Sequence, residues 1–277
     1  MGDPATPDLL EAAPQLAVVV GIVAAFAWAA AVARRRLARG APLVPARPHP
    51  DVPWQGADVA LAVVIYLLAV VLVAKVVGPT APLAGRILGN LVASLVAVAA
   101  VAGWLRLQGA DARALGFVGG GWREDLGIAV GGVGLVLFPL LALSAALNAL
   151  VPYEHPIVDF LDGRRDAAAV VVVIVSAVVV APLAEEFFFR RVLQGWLEKR
   201  LPGDEVGPVL VPAMAFAAAH AGQGLAWVAL LPLAVVLGVI ARRTGSIVPC
   251  ILLHALFNAV SVAILLLQPA PQPGASG

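Results

Sequence analysis

The chain is a series of apolar runs separated by short polar or proline-rich breaks. A helix needs about 20 mostly apolar residues to cross a bilayer. On that measure the pattern predicts eight spans, at 15–33, 57–77, 87–105, 126–151, a fifth starting at Ala167, 207–221, 225–241 and 247–267. The helical signal of the fifth persists toward Leu197, longer than one crossing requires. Pro42, Pro45, Pro48, Pro50 and Pro53 predict an extended linker behind the first span, because proline fixes φ and lacks the helix donor. Gly78-Pro79 closes the second span, 106–125 is polar and glycine-rich, 152–166 is an acidic loop, and Leu201-Pro202-Gly203 stops the fifth span. Gly127 and Gly131 have the spacing that suits close helix packing in the fourth span, although glycine is also simply frequent in membrane helices. Residues 268–277, rich in Pro, Gly and Ser, are expected to be disordered.

The predicted fold is therefore an all-α, polytopic transmembrane helical bundle. Residues 1–14 form a tail, 15–166 an N-terminal region of about four spans, and 167–267 a second helical region of about four. Charge sharpens this picture. Of the 18 Lys and Arg residues, all but Lys75, Arg86, Arg164 and Arg165 flank the spans on one side. The positive-inside rule places that side in the cytoplasm, so both termini are expected outside. Asp3, Asp8 and Glu11 precede the first apolar run, where a secretory signal would be basic, so that run is read as a retained span.

Composition agrees. Hydrophobic residues make up 61% of the 277, charged ones 13%, and mean hydropathy is +0.97. No soluble core could hold that excess. A net charge of +1 speaks against a nucleic-acid partner. Cys250, the single cysteine, excludes an intrachain disulfide and reads as a small packed residue. His49 and His155 fall in loops beside prolines and read as solvated.

The candidate chemistry lies in the last four spans. An ionised group in hydrocarbon costs several kcal/mol unless it is paired, solvated or protonated, yet Glu185, Glu186, Arg190, His220, His254 and Asn258 all stand in apolar surroundings. Residues four apart share a helix face, so Glu186 can pair with Arg190, His254 lies with Asn258, and Phe216 can wall the ring of His220. Glu185 points about 100° from Glu186, which leaves it free for a different task. A carboxylate and an imidazole can position and deprotonate water, and histidine and asparagine can donate to an oxyanion. The same Glu/His set could hold Zn²⁺ or another divalent cation, though no H-E-x-x-H motif requires one. A serine nucleophile has no G-x-S-x-G context. Taken alone, Glu185-Glu186 with Arg190-Arg191 also reads as a helix end with snorkelling charges. His220 alone also reads as a core histidine bonded to a carbonyl, and His254 with Asn258 as an interhelical pair.

Three motifs in order carry a resemblance. Glu185-Glu186-Phe187-Phe188-Phe189-Arg190 resembles the EExxxR motif of the CPBP intramembrane proteases, also called the CAAX-protease and bacteriocin-processing or ABI family. Phe216 to His220 resembles its FxxxH motif and His254 to Asn258 its HxxxN motif. The resemblance implies an intramembrane endopeptidase related to type II CAAX prenyl endopeptidases, acting on a peptide or membrane-protein substrate; the Ala/Val/Arg-rich composition suggests a bacterial cytoplasmic membrane. It implies that Glu185 is the water-activating base and that Glu186 pairs structurally with Arg190. His220 would help to hold the water or a metal, and His254 and Asn258 would orient substrate and stabilise the oxyanion. Glu185, His220 and His254 would be the ligands of any Zn²⁺; a metal-free route is also open. Two other classes stay open: a non-proteolytic immunity or scaffold protein, and a proton-coupled transporter. No internal repeat supports the transporter.

Overall fold

The computed structural model describes residues 9–118, 121–153, 156–162 and 166–267. Among them there are helices and no strands. Helix α1 spans Leu9–Ala38, α2 Gly56–Val77, α3 Leu83–Leu107 and α4 Trp122–Leu150. The short α5 spans Pro156–Asp162 and the long α6 Ala167–Arg200. Then come α7 Gly207–Ala219, α8 Ala226–Thr244 and α9 Val248–Leu267. The expectations for His155, Arg164, Arg165 and the 268–277 tail lie outside the described residues.

Seven of these helices are long and apolar enough to cross a membrane, and α7 is a shorter apolar helix of 13 residues. The chain is thus an integral membrane protein, with large apolar side chains such as Leu16, Leu72 and Val92 on its outside. The predicted sixth span at 207–221 needs correction. At about 1.5 Å per residue α7 rises only about 20 Å. His220 and Ala221 have left the helix into a turn that contains Gly224, at φ +54. The acidic loop also differs from expectation, because it contains α5. Ile157, Phe160 and Leu161 fall on one face and pack against Val173 and Val262.

Close helix approach is made by glycines other than those the sequence singled out. Nothing stands near Gly127 or Gly131, whereas a side chain at Gly132 would strike Leu253 and one at Gly134 would strike Ala29. Gly134 shares the face of Gly127 one turn beyond Gly131, whereas Gly132 packs on a different face.

Helix α6 positions the site. Asp166 caps it, accepting from the Ala169 amide at 3.0 Å. It runs 34 residues to Arg200, so Glu185 lies near its middle. Two π-helical stretches, Ile174–Val180 and Glu186–Leu193, lie on either side of Glu185. Such widened turns free a backbone carbonyl and recur at functional sites.

The proline-rich linker is a strap laid over one end of the bundle. Arg47 bonds Asp125 at 2.7 Å and Glu124 at 2.9 Å, and its amide donates to the Arg243 carbonyl. Arg243 Nε donates to the Val44 carbonyl at 2.7 Å. Lys199 Nζ donates to the carbonyls of Val52 and Trp54 at 3.0 and 3.2 Å. Trp54 is fully buried and donates to the Val192 carbonyl at 3.0 Å. His49 on the strap is exposed, in keeping with its reading as solvated, and its ring is also bonded to the Arg242 carbonyl and lies 3.4 Å from Glu198. Prolines cannot satisfy one another's carbonyls, so the bundle's Arg and Lys side chains do so. Cys250 is buried as expected, with Sγ 3.3 Å from the Leu237 carbonyl.

Candidate active site

The site is built on α6, α7 and α9. Glu186 is 0% exposed, and its two oxygens have different partners. Oε2 lies 3.3 Å from Arg190 Nε, one turn along the same helix. Oε1 lies 2.9 Å from Nδ1 of His254 on α9. Arg190 is buried too, and its guanidinium stands 5.1 Å from the centre of the Phe216 ring on α7. A buried ionised pair is tolerable only with such compensation on both partners.

His254 sits between two carboxylates. With Nδ1–H donated to Glu186, Nε2 faces Glu185 Oε2 at 3.7 Å. That is too long for a direct hydrogen bond. Glu185 is the open member of the cluster, its side chain 26% exposed against 0% for Glu186. The 100° that separates neighbours on a helix therefore puts one glutamate in the dry interior and its neighbour at the edge of accessible space.

His220 follows the last residue of α7, and its Nδ1 lies 2.8 Å from the Phe216 carbonyl. Only an N–H can satisfy a carbonyl, so Nδ1 is the donor, and Nε2 has no hydrogen-bond partner among the described residues. The ring stacks at a tilt on Phe216, 4.7 Å between centroids. Phe216 also stands edge-on to His254 at 5.9 Å and to Phe189 at 5.4 Å. It is the common wall of Arg190, His220 and His254.

Asn258, one turn beyond His254, is directed elsewhere. Its Nδ2 donates to the Ala177 carbonyl at 2.8 Å, inside the first π-helical stretch. The structure thus brings Glu185, Glu186, Arg190, Phe216 and His254 together, sets His220 beside Phe216, and bonds Asn258 to the α6 backbone.

Tyr66 on α2 is a neighbour that sequence reasoning missed. Its ring lies edge-on to Phe188 at 5.4 Å, and it is near enough to Glu185 for the two to interact electrostatically. The only signal was a phenol in an otherwise apolar run, which is too common to single out.

Zn²⁺ sites take three or four protein ligands. Among the described residues no three His, Cys, Asp or Glu side chains converge as a ligand set. Glu185 and His254 supply two donors, and His220 does not complete them. Two donors fall short of the three that a zinc centre takes.

No curated protein and no solved structure matches the chain. A family model does: that of the type II CAAX prenyl endopeptidase Rce1-like family matches residues 167–260. The match spans all of α7 and α8 and every motif residue from Glu185 to Asn258. The stretch of this chain that carries the Glu/His cluster is therefore similar to the Rce1-like family of type II CAAX prenyl endopeptidases.

Proposed function

We propose that the protein is an intramembrane endopeptidase that hydrolyses peptide bonds in membrane-associated peptides or proteins, with water activated by Glu185. The family is one of CAAX-type intramembrane proteases, which supports the reaction class. One observation carries the assignment: a partly open carboxylate faces Nε2 of a buried histidine whose other nitrogen is held by Glu186.

Water bonded to both Glu185 Oε2 and His254 Nε2, at about 2.8 Å from each, fits at the apex of their 3.7 Å separation. Glu185 takes a proton as the water oxygen attacks the scissile carbonyl. The C–O bond forms, the carbonyl π electrons move to oxygen, and the oxyanion is met by a donor. His220 Nε2, in its protonated form, and the second amide hydrogen of Asn258 are the groups suited to that task. The C–N bond then breaks, and Glu185 delivers its proton to the leaving amine. Glu186 and Arg190 are positioning residues that fix the ring of His254. The protein acts in a bacterial cytoplasmic membrane, with the strap end of the bundle toward the cytoplasm.

The test is cleavage of a membrane-peptide library by the purified protein in proteoliposomes, read by mass spectrometry. Glu185→Gln is expected to lower turnover by about 10²–10⁴. Undiminished cleavage by this variant would remove Glu185 from the mechanism. A wild-type protein that cleaves nothing while binding a partner equally well with Gln at 185 would favour the scaffold reading.

A further inference from the structure

Lys75 and Arg86 belong to the basic minority at the end of the bundle opposite the strap. Both line a groove of about 610 Å³ between the last turns of α2 and the first turns of α3. Its other walls are apolar, including Val70, Val73 and Ala93, with Asn90 beside Arg86. Gly89 lets the helices converge at its floor, where a side chain would strike Val73 and Val77.

Arg86 is in an unfavourable place. It stands in the first turn of α3, where the helix dipole already presents positive charge and an acidic residue is preferred. That turn contains no acidic residue, and no carboxylate lines the groove. Lys75 adds a second cation in the last turn of α2. Both side chains are exposed, and neither makes an ion pair or hydrogen bond among the described residues. Two unpartnered cations and a helix N-terminus at the mouth of an apolar slot between membrane helices complement one kind of molecule, which is anionic at one end and hydrocarbon at the other.

We propose that this groove binds an anionic phospholipid, its phosphate against Lys75 and Arg86 and an acyl chain between α2 and α3. The site is distinct from the Glu/His cluster, and its test does not depend on proteolysis.

The experiment is native mass spectrometry of the detergent-purified protein, equilibrated with phosphatidylglycerol and phosphatidylcholine of identical chains. Each cation near a lipid headgroup contributes about a fivefold preference, so wild type is expected to favour phosphatidylglycerol by about twenty-fivefold. Lys75→Gln with Arg86→Gln is expected to abolish the preference and leave the melting temperature in zwitterionic detergent unchanged. Lys75→Arg with Arg86→Lys is expected to keep it. Ala74→Phe, which fills the slot, is expected to weaken retention of both lipids. Equal retention of the two lipids by wild type overturns the proposal without reference to any variant. So does an undiminished preference in the double Gln variant, or a second copy of the chain found there in place of lipid.

Discussion

Arg190 and Arg191 are adjacent in sequence and both buried, yet they hold different parts of the molecule. Arg190 turns inward to a full negative charge, Glu186 at 3.3 Å, and to the face of Phe216. Arg191 turns toward the strap, and its direct contacts among the described residues are with dipoles: the carbonyls of Ala114 and Pro50, and the ring of Trp54 at 5.5 Å, with Glu198 and Asp111 acting on it only at longer range. Charge–charge pairing in the first case fixes His254 and therefore the site. Charge–dipole bonding in the second ties the N-terminal helices and their linker to the family-matched helices. The difference shows that burial of an arginine does not by itself reveal its role; the nature of the compensating partner does.

The comparison can be broken at several points. The largest effect is expected from Arg190→Met, which leaves Glu186 buried and uncompensated; loss of one partner of such a pair costs about 3–5 kcal/mol. Thermal unfolding in detergent should show it, and any folded fraction should have lost peptidase activity because His254 is no longer held. Adding Glu186→Gln removes the orphaned charge. The double variant is expected to regain much of the stability but not the activity, with a coupling energy well above the few tenths of a kcal/mol seen for independent sites. If the two substitutions proved additive, Glu186 and Arg190 would not act as one unit.

Arg191→Met is expected to cost less, about 1–3 kcal/mol, because neutral carbonyls and not a carboxylate lose their donor. Turnover per folded molecule should stay near wild type while limited proteolysis in the 41–55 linker accelerates. A loss of turnover as large as that of Arg190→Met would erase the distinction between the two arginines.

The smallest effect is expected at Asp204, a charge–dipole contact in water. It accepts from the amides of Val206 and Gly207 at 2.8 and 2.9 Å, and these two bonds hold its carboxyl below the ordinary aspartate value. A folded-state pKa depressed in this way contributes stability above the unfolded value and loses it as pH falls through the folded one. Asp204→Ala should therefore melt slightly below wild type at neutral pH, and the gap should close in acid. A gap that widened in acid would reverse the sign and refute the capping role.

How far these features were legible in the sequence depends on their range. Apolar runs, the strap's extended form and the reach of α6 past Arg191 follow from local composition, and all are present. The shortness of α7 was partly hidden, because Ala217 to Ala221 reads as helix until His220 leaves it for the turn. The faces used by α4 were hidden in part: Gly134 packs on the face that Gly127 marks, but that Gly132 meets a neighbour and Gly131 does not is decided by which way the bundle turns the helix. At the candidate site, i,i+4 spacing gave the pairing of Glu186 with Arg190. It could not give the second bond of Glu186 to His254, which spans 68 residues. Nor could it give the bond of Asn258 to the Ala177 carbonyl, whose partner five residues on is Pro182 and has no N–H, or the approach of Tyr66 from a different region of the chain.

The strap has a practical consequence for anyone who cuts this chain at the start of the matched region. The partners of Arg191 and Lys199, and the indole that covers Val192, all come from residues before Ala167. A fragment beginning there keeps every motif residue and loses the acceptors that anchor the lower half of its longest helix. For this protein the stretch recognisable by kinship is smaller than the stretch that holds its own shape.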